Sequence, residues 1–260
     1  AHDWAPIGMF FGEFDGQGHA ITGMNVTGDW EYAGLFSVCR STIHDLTLSG
    51  NVSVARTSGT ACVGGLAGFV YGGAIEVYNV LFTGTVSLAG RDGMVGGLVG
   101  EMEASDTTLS NCAALAEVSV GPVGSPAGVR NVYIVYAGGL VGGVSGFDGD
   151  SKVDLRNCYA AGTVTVQPGV RPVRTAALVG DAEEAAGVTG PLYYLNTMGA
   201  PSGYGAFDNV PTAMTAEEMQ SSAFADTLNV WVTAQDEGAD YAAWYAHAGA
   251  YPDFTKSGGG

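Results

Sequence analysis

The sequence is short of positive charge. Nine Lys and Arg residues stand against 26 Asp and Glu, which gives a formal net charge of −17 at pH 7. This balance disfavours binding to nucleic acid and to anionic membrane surfaces. Long apolar runs are missing too: the apolar, uncharged stretch from Val132 to Phe147 is broken by five glycines and is more typical of a strand. We therefore expect no nucleic-acid partner and no membrane insertion.

Residues that carry chemistry are also few. The four cysteines and four histidines lack the spacing of a zinc site. The histidines are scattered along the chain, and no Ser-His-Asp set can be assembled from sequence alone. We therefore predict no catalytic residue, no bound cofactor and no metal site. The histidines are His2, His19, His44 and His247.

One acidic loop leaves an alternative open. The segment from Phe147 to Lys152 resembles a calcium loop weakly, but Lys152 stands where a ligand oxygen is expected. A solvated turn is the preferred interpretation, and calcium binding around Asp148 remains the alternative. Lys152 and Arg156 are the only basic pair near acidic residues, here Asp148, Asp150 and Asp154.

What the chain has in abundance is repetition. A Gly-Leu-Val-Gly-like phrase occurs four times, and a degenerate fifth copy follows at Ala177 to Gly180. Repeats of this length are typical of solenoids, in which each unit buries its apolar face against its neighbours. The four phrases are Ala33-Gly34-Leu35-Phe36, Gly65-Leu66-Ala67-Gly68, Gly97-Leu98-Val99-Gly100 and Gly139-Leu140-Val141-Gly142.

Each phrase is followed by an alternating apolar run that begins after an Asp or Asn. The period of two predicts strands with one buried face, and equal register places like residues on top of one another. The stacked inward positions include Val52, Val86, Val118 and Val164, then Val54, Leu88, Val120 and Val166.

The residues that lead the runs are Asp45, Asn79, Asn111 and Asn157. The apolar residue before each run lies three positions ahead of the first inward one, which breaks the parity and predicts a bend there. Asn and Asp tolerate the left-handed backbone region and can stack as a hydrogen-bonded ladder. Cys112 and Cys158 occupy the same inward slot in consecutive copies, so we expect them to be neighbours in the core. Whether they are free or bridged is left open.

The two ends differ from the repeats. The segment from Phe10 to Gly23 is interpreted as a first, incomplete coil with a turn at Asp15-Gly16. After the repeats, Thr215 and Glu218 form a capping box, and Met219, Phe224 and Leu228 give one apolar stripe. This pattern predicts a helix, which we expect to close the end of the rod.

These motifs resemble the GLUG-motif repeat family of bacterial surface proteins. The resemblance covers nearly the whole chain, from Phe14-Asp15-Gly16-Gln17-Gly18-His19 through Asn111-Cys112 and Asn157-Cys158 to Met214-Thr215-Ala216-Glu217-Glu218-Met219. It implies an all-β, right-handed parallel β-helix-like solenoid with a C-terminal capping helix. The longer interval between Leu98 and Leu140 departs from the family and predicts a loop near Pro122 to Arg130.

The resemblance also implies a function. It points to a non-catalytic cell-surface or secreted module, adhesin-like in display or spacing, whose partner is a host or microbial glycoprotein or glycan. The alternatives are a polysaccharide-active β-helix lyase or glycoside hydrolase, and the non-catalytic N-terminal module of an immunoglobulin A protease-like protein. We expect a monomeric module of a longer chain, divided into a first coil (1–30), the repeats (31–200), a helical cap (201–255) and a linker (256–260).

Overall fold

The structure is a computed structural model. It describes residues 3–104, 106–122, 134–146, 153–169, 173–182, 186–187, 190–205, 207, 209–235 and 241–256. The described chain is mostly β, and its strands pair almost entirely in parallel, in agreement with the all-β prediction. The loop from Pro122 to Arg130 and the candidate calcium loop around Asp148 fall largely outside these residues. Their interpretations stay predictions.

Two parallel sheets contain the repeats. The short strands that precede each Gly-Leu-Val-Gly phrase form a five-stranded sheet of β2 (Tyr32–Ala33), β4 (Ala61–Val63), β7 (Gly93–Gly96), β11 (Val135–Gly138) and β16 (Val173–Ala176). The other parallel strands form a 15-stranded sheet curled as a half-barrel. Its members are β1 (Ile7–Gly28), β3 (Phe36–Ala55), β5 (Ala67–Val70), β6 (Glu76–Ala89), β8 (Val99–Ala104), β9 (Thr107–Ser110), β10 (Ala113–Gly121), β12 (Val141–Gly146), β13 (Val153–Arg156), β14 (Cys158–Ala160), β15 (Thr163–Val166), β17 (Val179–Asp181), β18 (Ala186–Gly187), β19 (Leu192–Leu195) and β20 (Thr212–Met214).

The predicted register is confirmed. Val86 lies opposite Val52 on one side and Val118 on the other, and all three are fully buried. Val118 in turn lies opposite Val164. Like therefore stacks on like through one continuous apolar core, as the period-two pattern requires.

The prediction of a buried position is wrong for Val166, which is 39% exposed. Val166 lies on β15, which pairs with β10 only, and no described strand stacks on its other side. The next strand, β19, pairs with β14 instead. The core is consequently open at the end of the fourth run.

The bends and the ladder are confirmed as well. Asp45, Asn79, Asn111 and Asn157 have φ angles of 54°, 53°, 53° and 49°. Each Asn donates its side-chain Nδ2 to the Oδ1 of the preceding copy, over 2.7, 2.8 and 2.8 Å in order. A hydrogen-bonded row of side chains thus runs along the corner of the molecule, which is the point where the backbone of each copy bends.

Cys112 and Cys158 are neighbours in the core, as predicted. Both are fully buried, and the backbone N–H of Cys112 donates to Cys158 Sγ over 3.4 Å. All four cysteines of the chain are free thiols. The open question between free thiols and a bridge is therefore answered in favour of free thiols.

The C-terminal segment packs on the side of the large sheet and not over an end. It comprises α1 (Ala216–Met219), α2 (Ser222–Thr233) and the antiparallel pair β21 (Tyr245–His247) and β22 (Ala250–Asp253). The predicted capping box at Thr215 and Glu218 is present, and the stripe of Met219, Phe224 and Leu228 is buried. These side chains cluster with outward residues of four copies, namely Leu81, Ala113, Tyr159 and Tyr193.

This lateral packing corrects the expected position of the helix. Leu81, Ala113, Tyr159 and Tyr193 lie in register on successive strands, at positions that the alternation would otherwise make polar. They form an apolar strip on the outer face of the sheet. The helix buries its apolar stripe there because that strip is the matching surface the copies offer.

Candidate binding face

The Gly-Leu-Val-Gly phrase brings strands of the five-stranded sheet and of the 15-stranded sheet into close contact. A Cβ built on Gly68 would lie 2.5 Å from Ala33 N, and one on Gly100 would lie 2.4 Å from Val63 N. Because these neighbours are backbone atoms, they have no room to yield, and only glycine fits. The leucine at the centre of the phrase is fully buried, for example Leu66 and Leu98.

Beyond the glycines, outward side chains of the two walls meet each other. The rings of Tyr32 on β2 and Phe69 on β5 stack with centroids 5.6 Å apart and planes 17° apart. One copy further on, Cys62 donates to Glu101 Oε2 over 3.1 Å. The Gly-Leu-Val-Gly phrase therefore places outward side chains of the two sheets in contact along one surface of the molecule.

The stacking continues into a column of five side chains, which we call the aromatic–arginine column: Phe11, Arg40, Tyr71, Phe69 and Tyr32. Phe69 stacks on Tyr71 at 4.8 Å. The guanidinium carbon of Arg40 lies 4.7 Å from the centroid of Tyr71 and 5.7 Å from that of Phe11. Cations over aromatic faces are attracted by the ring quadrupole, so the column holds itself together without a packed core around it.

Strand register explains why these residues meet. Phe11 of β1 lies opposite Arg40 of β3, and Met9 lies opposite Val38, which lies opposite Phe69 of β5. Alternation then places Met9 and Phe11 on the outer face, where they are 52% and 61% exposed. At the register position of Met9, Val38 and Phe69, the next two copies carry Glu101 and Gly143 instead of a large apolar group.

Two weak acids, Tyr32 in the column and Cys62 beside it, keep their protons at neutral pH. Burial, together with the neighbouring Cys62 and Glu31, raises the pKa of Tyr32 to about 12. Burial, assisted by Glu101, raises the pKa of the Cys62 thiol well above its usual value. The phenol and the thiol are therefore neutral donors beside the carboxylates of Glu31 and Glu101.

The column offers stacking surfaces and hydrogen-bonding groups to a ligand. Exposed rings and methyl groups accept the apolar faces of a ligand, while Arg40 and the carboxylates can exchange hydrogen bonds with hydroxyl groups. Such a mixture fits a carbohydrate, whose rings present C–H faces and hydroxyl edges.

The residues that the sequence offered for chemistry are dispersed or already paired. His19 is exposed, and His247 Nε2 lies 2.8 Å from Asp253 Oδ1. Arg156 donates from Nε to Asp154 Oδ2 over 2.7 Å, so the basic residue of that acidic region is engaged within the fold. Asp148, Asp150 and Lys152 lie outside the described residues.

Sequence reasoning missed the aromatic–arginine column. Its members come from three copies, and no spacing rule connects Phe11, Arg40 and Tyr71 along the chain. A signal did exist, because Arg40 and Tyr71 occupy equivalent places after successive phrases. It becomes visible only when the copies are written one beneath another in their strand register.

No protein-family model matches the chain, and no curated protein is similar to it. Across the ranges that the structure describes, no helix has the length and apolar character needed to span a membrane.

Proposed function

We propose that this chain is a non-catalytic bacterial surface module that belongs to the GLUG-motif repeat family. In this proposal it folds as a right-handed parallel β-helix-like solenoid, is secreted or held at the cell surface, and binds a host or microbial glycan or glycoprotein in the manner of an adhesin. The ligand lies along the aromatic–arginine column.

Several observations support a display role. The copies stack in equal register through a fully buried valine row, which gives a stiff body suited to holding a surface away from its anchor. The excess of carboxylates over basic residues suits a surface protein that resists non-specific association.

The observation that carries the proposal is the column itself. Monomeric proteins usually bury rings of this size, yet Phe11 is 61% exposed and lies in line with Arg40, Tyr71, Phe69 and Tyr32. None of these side chains belongs to the buried core or to the ladder. Stacking against the rings of a ligand would account for their exposed arrangement.

The test begins with the purified chain on an array of host and bacterial glycans, followed by calorimetry with each glycan that binds. Arg40→Ala and Phe11→Ala should each weaken binding at least about tenfold, which corresponds to ~1.4 kcal/mol. Val230→Ala is the matched control, because Val230 is 70% exposed but lies on α2, away from the column.

Two outcomes contradict the proposal. One is the absence of any bound glycan or glycoprotein together with unchanged adherence of cells that lack the module. The other is glycan binding that Arg40→Ala and Phe11→Ala leave intact while circular dichroism shows both variants folded. Turnover of a neutral or acidic polysaccharide by the purified chain would reject the non-catalytic part and favour the lyase or hydrolase alternative.

A further inference from the structure

A group of titratable side chains lies where β1 and β3 turn the first corner. Asp15, His44 and Asp45 each offer one metal-ligating atom, and these atoms all lie within 4.8 Å of one another. His44 Nδ1 is 2.7 Å from Asp45 Oδ2 and 3.7 Å from Asp15 Oδ1. Neither the aromatic–arginine column nor the core uses these three groups.

We propose that Asp15, His44 and Asp45 bind a divalent transition-metal ion, with zinc as the reference ion, through one imidazole nitrogen and two carboxylates. Tetrahedral zinc with nitrogen and oxygen ligands at about 2.0–2.2 Å separates neighbouring ligand atoms by about 3.3 Å. The two separations at His44 Nδ1, 2.7 and 3.7 Å, bracket this value. Small side-chain rotations bring all three atoms onto one ion and leave its remaining position open.

A neighbouring residue fixes the orientation of each proposed ligand side chain, as is usual for ligands of metal sites. His44 Nε2 lies 3.2 Å from Glu13 Oε1. When Nε2–H donates to this carboxylate, the lone pair of Nδ1 is left for the ion. The imidazole also stacks on Tyr78, with centroids 4.7 Å apart and planes 5° apart. Its side chain is only 10% exposed, so it is a preorganised ligand.

The carboxylates are fixed as well. Asp45 Oδ1 accepts from Asn79 Nδ2 over 2.7 Å, which directs the other oxygen towards His44. Asp15 Oδ1 accepts from the backbone N–H of Gln17 over 2.8 Å. A Cβ at position 16 would lie 2.4 Å from the carbonyl oxygen of Asp45, so Gly16 lets the two strands approach closely enough to join the three ligands.

Charge favours a cation here. Glu13, Asp15 and Asp45 surround a single imidazole, and within the described residues no Lys or Arg forms an ion pair with any of them. A protonated His44 would neutralise only one of the three negative charges. A divalent ion bound by the neutral imidazole would neutralise two of them.

The other copies lack the set. In register, His44 lies opposite Tyr78, and the positions that follow in the next copies are Ser110 and Arg156. The position after His44 is Asp, whereas the later copies have Asn79, Asn111 and Asn157. Since Asn also accepts a ladder hydrogen bond, the ladder does not require the carboxylate of Asp45, and the His-Asp pair is specific to this corner.

The experiment is titration of the 260-residue chain with zinc chloride alone, by calorimetry in a buffer without chelators. We expect one site per chain. Asp15→Asn preserves the side-chain shape and should weaken zinc binding at least about 100-fold. Glu13→Gln removes only the charge of the hydrogen-bond partner of His44 and should weaken zinc binding about tenfold.

Asp29→Asn is the matched control, because Asp29 is an exposed carboxylate near the same end that pairs with Arg56 and not with the proposed site. Its affinity for zinc should equal that of the unmodified chain. Calcium should bind far more weakly than zinc, because imidazole nitrogen is a poor calcium ligand. Thermal unfolding of each variant without metal establishes that it is folded.

Three results overturn the proposal: no zinc bound at micromolar protein, zinc bound equally by the chain and by its Asp15→Asn variant, or equal affinity for zinc and calcium. None of these bears on glycan binding at the column, so the two proposals fail separately.

Discussion

The indole Nε1 of Trp244 donates a 2.6 Å hydrogen bond to Oδ1 of Asn111, 133 residues earlier in the chain. The same oxygen accepts from Asn157, and Asn111 Nδ2 donates both to Asn79 and to the carbonyl oxygen of Ala242. Asn111 therefore connects the ladder to the C-terminal segment. Removing its side chain would take away the acceptor of the buried indole N–H of Trp244. Asn79, Asn157 and Ala242 would each lose one hydrogen bond.

Asn111→Ala should accordingly lower the free energy of unfolding by about 3 kcal/mol or more, since each buried unsatisfied group costs roughly 1–3 kcal/mol. Alanine at a φ of 53° adds strain of about 1 kcal/mol. Urea denaturation followed by circular dichroism measures the change. Asn51→Ala is the control, because Asn51 makes side-chain hydrogen bonds in a half-buried place outside the ladder. An equal loss in both variants would contradict a special role for the ladder.

Gly142→Ala should destabilise the protein by at least about 2 kcal/mol. Its Cβ would lie 2.4 Å from both Gly100 O and Val95 N, which are backbone atoms of neighbouring strands. Gly73→Ala is the control, since a Cβ there meets nothing within 4 Å, and its effect should stay within about 0.5 kcal/mol. Thermal and urea unfolding of the two variants give the comparison, and similar stabilities would refute the close-contact explanation of the phrase.

Val120 and Val166 occupy the same position in consecutive copies, so replacing each of them with Ala compares the stability effect of a buried valine with that of an exposed one. Val120 is fully buried and lies opposite Val166, which is 39% exposed. Loss of two buried methyl groups should cost about 1.5–2.5 kcal/mol at Val120 and less than about 0.5 kcal/mol at Val166. Denaturant midpoints at constant slope provide the measurement. A large loss at Val166 would mean that the fourth run is covered in solution.

Stability should fall as the pH rises above about 9. Burial raises the pKa of Cys39 to about 11 and, together with neighbouring charges, that of Tyr32 to about 12. It also raises the pKa of Tyr159, which donates its phenol to the carbonyl oxygen of Pro252, well above the usual range. Below the unfolded values both states are protonated, so this stability is fully present at pH 7.

Between the unfolded and folded values only the unfolded chain loses protons, so the free energy of unfolding decreases with pH. Urea unfolding at pH 7, 9 and 10.5 measures this decrease. Absorbance at 295 nm follows the tyrosines, and Tyr159→Phe should remove one late-titrating phenol from the folded protein. A titration identical in folded and denatured protein would contradict the shifts.

The sequence was sufficient to predict the rows of buried residues and the backbone bends at the corners. Alternation names Val86 and Val118 as core residues directly, and the broken parity before Asn79 and Asn111 requires a bend at residues that tolerate positive φ. Equal offsets from copy to copy then imply a ladder. Each of these conclusions needs only local spacing and the equivalence of the copies.

The position of the C-terminal helix could not be obtained in that way. The stripe of Met219, Phe224 and Leu228 defines an apolar face, but helical periodicity does not say which surface will receive it. The clue lay elsewhere, in Leu81, Ala113 and Tyr159, which are apolar at places where alternation expects polar residues. An outward apolar row predicts a covering element.

The two proposed sites depend on contacts that sequence spacing does not encode. Asp15 lies beside His44 because the two residues are register partners on β1 and β3. Arg40 lies between Phe11 and Tyr71 because three strands are aligned side by side. Such neighbours emerge only when pairing partners and register shifts are known.

The hydrogen-bonded corner residues are separated along the chain by 34, 32 and 46 residues, yet their ladder distances differ by only 0.1 Å. The protein therefore absorbs about a dozen additional residues between two copies without disturbing either neighbour. Surface loops tolerate such insertions because few contacts depend on them. A peptide inserted between two copies should consequently leave the hydrogen bonds between corner residues unchanged, and their lengths report whether the insertion is accepted.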